Sequence, residues 1–64
     1  MKQRLTVSKN SAKETYHVNI EEYEGDKIWN VICVYYSDKE IYARSTALKL
    51  QYILSLELKF LYEV

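Results

Sequence analysis

The sequence predicts an α+β fold, in which a three- or four-stranded antiparallel β-meander is followed by one C-terminal α-helix packed on one sheet face. Three observations lead to this prediction. Two runs of alternating apolar residues flank the lone glycine of the chain, and residues 45–64 are apolar around most of a helical circumference. A chain of 64 residues also has room for one domain only, so we expect residues 1–64 to form a single unit.

The first strands come from the N-terminal half. Leu5 and Val7 predict a short strand over residues 4–8, and a polar stretch leads from it to the next strand. Gly25-Asp26 fits the two-residue loop of a β-hairpin, because glycine adopts positive φ without steric cost. The register that follows pairs Glu24 with Lys27, Ile20 with Val31, Val18 with Cys33, and Tyr16 with Tyr35.

The strand over residues 28–36 is apolar on both sides, which is typical of a central strand with both faces covered. One helix covers only one face of a sheet, so this pattern indicates a partner. A second turn is predicted at residues 37–40, since Ser37 and Asp38 bond readily to their own backbone. The chain then returns as a strand through residues 41–43.

The predicted helix covers residues 45–64, with Ser45 as its N-cap. Two adjacent apolar stripes together span about 200° of its surface, which is more than one sheet face requires. The first stripe contains Ala47, Leu50, Leu54, Leu58 and Leu61, and the second contains Ile53, Leu56, Phe60 and Val64.

The second stripe predicts a homodimer interface formed by Ile53, Leu56, Phe60 and Val64. Glu57 lies between the stripes. It either pairs with Arg44 or with a lysine of the partner, or it reaches solvent from a frayed helix end. A second interaction surface is predicted on the sheet, formed by Tyr23, Ile28, Ile32, Val34 and Tyr36.

The inventory of reactive side chains is small. His17 is the lone histidine, and the predicted register places Val34 opposite it rather than a nucleophile. Cys33 is expected to face the helix as a small buried apolar residue that reacts slowly with thiol reagents. The acidic residues around Gly25 lack the spacing of a calcium loop. We therefore expect no enzyme, no metal site and no cofactor.

Nine basic and nine acidic residues give zero net charge, which disfavours electrostatic binding of nucleic acid. The alternative that remains is stacking of bases on Tyr23 and Tyr36, helped by a basic N-terminus and three flanking cations. Those cations are Lys27, Lys39 and Arg44. In element order alone, the predicted meander and helix resemble the arm-type DNA-binding domains of tyrosine recombinases.

Taken together, these observations predict a small non-enzymatic protein-interaction module that acts as a homodimer by binding another protein. It would be a regulator, an inhibitor or an adaptor, of a size often encoded by phages or mobile elements. The alternatives are the nucleic-acid-binding protein described above and a structural or assembly component of a larger particle. No 18-residue apolar stretch and no signal peptide are present, so we expect a cytoplasmic protein without a membrane span.

Overall fold

The chain forms one four-stranded sheet with one helix packed on it. The computed structural model describes residues 2–63, which contain β1 (Lys2–Asn10), β2 (Thr15–Glu24), β3 (Lys27–Ser37), α1 (Glu40–Leu54) and β4 (Glu57–Phe60). The strand order is β3-β2-β1-β4. The α+β prediction is confirmed. The sheet is mixed, because α1 carries the chain across the sheet and β4 then runs parallel to β1.

The hydrophobic core lies between α1 and the two central strands. Leu5, Val7 and Val18 are fully buried against Ala43 and Ala47 of the helix. Alanine at both helical positions lets the helix backbone approach the sheet closely. The N-terminal strand is thus confirmed, and it occupies a central position because it pairs with β2 on one side and with β4 on the other.

The β2–β3 hairpin turns where the sequence predicts. Gly25 has φ +61°, and Glu24 pairs with Lys27. Farther from the turn, the predicted pairs are wrong. The observed pairs are Ile20 with Ile32, Val18 with Tyr35, and Tyr16 with Ser37. Two bulges in β3 cause the difference, since each inserts one residue without a partner on β2.

The position of β3 in the sheet also differs from the prediction. The apolar character of its two sides predicts a central strand, yet β3 is an edge strand with β2 as its one neighbour within residues 2–63. Every residue of β3 from Lys27 to Val34 is exposed. Its apolar residues therefore lack a cover within this part of the chain.

The helix begins earlier than predicted. The Ser37 hydroxyl accepts a hydrogen bond from the Lys39 amide (3.0 Å), so the predicted turn forms, but the chain enters α1 at Glu40 instead of returning as a strand through residues 41–43. Ser45 lies inside the helix and is not its N-cap. Ala43 and Ala47 are four residues apart and both face the sheet, which is the spacing of one helix face.

The helix also ends earlier, so its predicted extent over residues 45–64 is wrong. Ser55 adopts the left-handed conformation with φ +54°, which terminates α1 at Leu54. The following residues Leu56, Leu58 and Phe60 alternate with charged residues, a period of two that is typical of a strand. The backbone amide of Leu61 donates to the carbonyl of Val7 (2.8 Å) and extends this edge of the sheet.

Candidate interaction surfaces

The most exposed apolar part of the sheet is its β3 edge, which we define as Ile28, Trp29, Val31, Ile32 and Val34. Each of these side chains is between 43% and 53% exposed. An edge strand also presents backbone N–H and C=O groups without partners, which favours pairing with another strand. The β3 edge is therefore suited to contact a further β-strand.

Two bulges limit how β3 can pair. The register shifts leave Trp29 and Val34 without partners on β2, so the regular stretch between them is residues 30–33. Bulges twist an edge strand and discourage indefinite addition of strands. The β3 edge thus offers a regular stretch of only four residues for pairing with a further strand.

A second exposed apolar surface lies on the helix. At about 100° per residue, Ile41, Leu48 and Tyr52 project away from the sheet, and we call these three residues the helix ridge. They are 71%, 54% and 87% exposed. A shallow hollow beside the ridge is lined by Ser45, Leu48, Lys49, Tyr52 and Ile53.

The two flanks of α1 differ in what they contact. The Arg44 guanidinium lies 5.6 Å from the centre of the Phe60 ring, so this flank faces β4. Tyr42 and Ile53 lie on the opposite flank, toward β3, and are 57% and 69% exposed. Apolar surface therefore continues from this flank of the helix toward the β3 edge.

The first predicted interface set does not form one helical stripe. Ile53 lies at the exposed end of α1, whereas Leu56 and Phe60 pack against the core and Glu57 is exposed on β4. Val64 lies outside the described residues. The helix ends before residues 56 and 60, so its outer face cannot carry them. The residues of this set that pack on the core stabilise the fold of the monomer.

Most of the second predicted set belongs to the exposed edge strand. Ile28, Ile32, Val34 and Tyr36 are all exposed residues of β3, although the bulges divide them between the two sides of the sheet. Tyr23 is half-buried on β2, where the Arg4 guanidinium covers its ring at 4.9 Å. These four residues thus lie on the same strand, but they do not lie on the same face of the sheet.

The sheet face that points away from α1, which we call the open face, is polar at its centre. Arg4 Nε donates to Glu21 Oε1 (2.8 Å), and the Glu21 side chain is nearly buried. Asn19 Nδ2 donates to Ser8 Oγ (3.1 Å) and to Thr6 Oγ1 (3.4 Å). A buried polar network of this kind is satisfied internally and has little capacity left for a ligand.

Cys33 lies on the open face and is exposed, so its predicted burial against the helix is wrong. The bulge at Trp29 causes the error, because it shifts the register so that Cys33 pairs with Asn19 instead of Val18. The Cys33 thiol lies 3.6 Å from His17 Nδ1. The other ring nitrogen, Nε2, lies 2.8 Å from the Thr15 hydroxyl, and the ring stacks on Tyr36 at 5.6 Å.

This grouping of His17, Cys33 and Thr15 is the one that sequence reasoning missed. The sequence holds one histidine and one cysteine, 16 residues apart, with no motif to join them. The signal that would have found it is the bulge, but bulge positions leave no distinct mark in this apolar strand. Chemically, the pair offers a thiol and an imidazole side by side at the surface.

The aromatic residues and cations of the nucleic-acid alternative do not converge. Tyr36 is 66% exposed on the open face. Lys27, however, lies over Trp29 at 4.1 Å, and Arg44 lies on the helix side over Phe60. Arg4, which does reach Tyr23, is neutralised by Glu21. Lys27 and Arg44 thus contact other aromatic rings, and neither is placed against Tyr36.

One titratable group outside these surfaces is strongly perturbed. Burial raises the pKa of Tyr62 to about 12, and the hydrogen bond that its hydroxyl donates to Glu40 Oε2 (2.8 Å) adds to the rise. This bond ties the segment after β4 to the first turn of α1. Tyr62 also packs on the rings of Tyr16 and Phe60. The contact is therefore structural.

Comparisons of this chain with protein-family models, with curated proteins and with solved structures find no match. Across residues 2–63, no helix is long and apolar enough to cross a membrane. Within the same residues, no three metal-binding side chains from histidine, cysteine, aspartate or glutamate lie together.

Proposed function

We propose that this chain is a protein-interaction module that dimerises through its β3 edges and binds another protein through its helix ridge. The observation that carries the proposal is the exposure of every residue of β3 from Lys27 to Val34, in a strand that is apolar and lies at a sheet edge. An edge of this kind is a template for strand addition.

A second copy is the occupant that fits this edge best. Ile32 is the middle residue of β3, and an antiparallel contact with a second β3 brings Ile32 against its own copy. The chain has zero net charge, so two copies approach without long-range repulsion. The bulges at Trp29 and Val34 restrict pairing to the middle of the strand, which favours a closed dimer over a fibre.

A two-fold axis perpendicular to the sheet keeps the helices of both copies on the same face. The two helix ridges then point outward, away from the joined sheet, and remain free. Ile41, Leu48 and Tyr52 have the helical spacing of a face that packs against a partner helix or groove. A dimer of this form offers two equivalent docking surfaces to another protein, as a regulator, an inhibitor or an adaptor does.

The test uses two variants with similar exposure at the mutated site. Ile32→Glu places a charge twice in the proposed dimer contact, and we expect it to weaken dimerisation at least about a hundredfold. Leu48→Glu on the helix ridge is the matched control and should leave the dimer intact, since Ile32 and Leu48 are 47% and 54% exposed. Sedimentation equilibrium at tens of micromolar protein measures both.

Three results would contradict the proposal. A wild-type mass of one chain, 7.7 kDa, at these concentrations excludes the dimer. Dissociation by Leu48→Glu but not by Ile32→Glu moves the interface to the helix. Tight binding of single-stranded or duplex nucleic acid, with an affinity that falls steeply as salt rises, supports the nucleic-acid alternative instead.

A further inference from the structure

We propose that the helix ridge binds an α-helix of another protein whose apolar seam is flanked by acidic residues. This inference rests on the docking surface of the proposed function, Ile41, Leu48 and Tyr52, and names its partner. Together with Ser45, these residues follow one another at intervals of four, three and four positions. That alternation is the spacing of positions a and d in a heptad repeat, which line the contact between two supercoiled helices.

Two hollows along the ridge have the composition of the holes that receive side chains in such a contact. Each hole is formed by four residues of one helix, at positions i, i+3, i+4 and i+7, and one side chain of the partner helix fills it. The first hollow is lined by Glu40 and by one such set: Ile41, Arg44, Ser45 and Leu48. The second hollow is lined by Ile53 and by the next set: Ser45, Leu48, Lys49 and Tyr52. Because the small Ser45 side chain belongs to both sets, a partner helix has room to approach α1 closely.

The charged residues of α1 determine which helix fits the ridge. Arg44 and Lys49 are five positions apart, which is about 140° around the helix, so they lie on opposite sides of the ridge. Both are exposed, and neither forms an ion pair within residues 2–63. The third charged residue, Glu40, is half-buried, and its carboxylate accepts the hydrogen bond from Tyr62. The two exposed charges that flank the ridge are thus both basic.

A second copy of α1 is a poor partner for this ridge. In a pair of supercoiled helices, the flanking residues at positions e and g face one another, and here Lys49 holds position e and Arg44 position g. A parallel pair sets Arg44 of one copy against Lys49 of the other. An antiparallel pair sets e against e and g against g. Both arrangements oppose like charges and disfavour self-pairing, whereas acidic residues at the flanking positions of a partner helix stabilise the contact.

The experiment compares two fluorescent peptides that differ only in charge. Both contain about three heptads with leucine at positions a and d. One carries glutamate at positions e and g, and the other carries lysine there. We expect the acidic peptide to bind at least about tenfold more tightly at low salt, because two attractive contacts replace two repulsive ones. Fluorescence anisotropy measures both affinities, and added salt should reduce the difference between them.

Three variants locate the binding site. Lys49→Glu reverses one of the two flanking charges and should reduce the preference for the acidic peptide at least about threefold. Lys59→Glu is the matched control, since it changes the net charge equally at an exposed lysine of β4 and should leave the preference unchanged. Leu48→Ala removes a side chain that lines both hollows and should weaken binding of the acidic peptide at least about fivefold. Circular dichroism of each variant checks that the fold is retained.

The outcomes separate this inference from the proposed function. Equal affinities for the two peptides, or tighter binding of the basic one, overturn the acidic partner and leave the ridge as a docking surface. A preference reduced equally by Lys49→Glu and Lys59→Glu reflects net charge alone and also overturns it, as does binding that Leu48→Ala leaves unchanged. Absence of binding to either peptide at millimolar concentration overturns the docking surface together with this inference. Sedimentation of Ile32→Glu tests the β3 dimer independently of all these results.

Discussion

The two edges of the sheet are built in opposite ways. The β4 edge has four residues, and its exposed side chains are Glu57 and Lys59, while Leu58 and Phe60 turn inward to the core. The β3 edge has eleven residues and exposes apolar side chains on both sides. A short, charged edge resists strand addition, whereas a long, apolar edge invites it.

The helix explains why the edges differ. Arg44 leans over Phe60 and Tyr62 bonds to Glu40, so α1 and β4 are tied together by side chains. The flank of α1 toward β3 ends in exposed Tyr42 and Ile53, and Ile32 below it is half exposed. The core is therefore complete on the β4 side and incomplete on the β3 side. The incomplete side is where a second molecule would contribute most.

The largest effect on monomer stability is expected at the β4 edge. Phe60→Ala removes a ring that packs on the core, and it should lower the free energy of unfolding by about 2 kcal/mol, less than a fully buried phenylalanine because the ring is half-buried. Lys59→Ala on the same strand is the control and should change it by less than about 0.5 kcal/mol. Urea unfolding measures both.

The same measurement at the β3 edge sharpens the comparison. Val31→Ala, at a site 52% exposed, should cost less than about 1 kcal/mol when protein is dilute enough to be monomeric. A cost equal to that of Phe60→Ala would mean that β3 is already packed within one chain. The proposed division between a completed and an incomplete edge would then be wrong.

The sequence was sufficient for the fold class and for the hairpin turn, but not for the edges. Gly25 marks its turn because positive φ is a local property of one residue. The end of α1 is different. Ser55 adopts positive φ without a glycine or proline, so the apolar spacing of Leu50 and Leu54 runs on without interruption into Leu58. A helical period and a strand period coincide there, and only tertiary pairing with β1 decides between them.

The candidate interaction surface on β3 was also hard to predict, because it too depends on tertiary pairing. The β3 residues of the predicted sheet surface are indeed exposed, yet the prediction placed them on a central strand. Apolar residues on both sides of a strand indicate burial in general, but here they follow from an edge that lacks a neighbour. The Cys33 and His17 pair depends on a bulge, and bulges arise from the twist of the whole hairpin.

An intermediate effect on monomer stability is expected at the turn that positions β3. Gly25 has φ +61°, and a Cβ added there would meet nothing within 4 Å, so backbone strain alone determines the cost. Gly25→Val should lower the free energy of unfolding by about 1–2 kcal/mol. Gly25→Asn, which tolerates this conformation better, should cost less. Equal losses in the two variants, measured by urea unfolding, would mean that strain at this φ is not the cause.

The most specific effect is expected at the contact that closes the β4 side. The raised pKa of Tyr62, about 12 against 10 in an unfolded chain, means that the folded state holds the phenol proton more tightly. The stability that this group contributes is fully present below pH 10 and is lost as the pH rises toward 12. Tyr62→Phe lacks the hydrogen bond to Glu40 and should be less stable by about 1 kcal/mol at pH 9.

The gap between wild type and Tyr62→Phe should therefore narrow between pH 9 and pH 11. Every other side chain is the same in the two proteins, so the difference between them reports on Tyr62. Urea unfolding at the two pH values, with protein dilute enough to be monomeric, gives the comparison. A difference in stability that stays constant with pH would show that the pKa of Tyr62 is not raised by the hydrogen bond to Glu40 in solution. The β4 edge would then be held by the packing of Phe60 and not by this hydrogen bond.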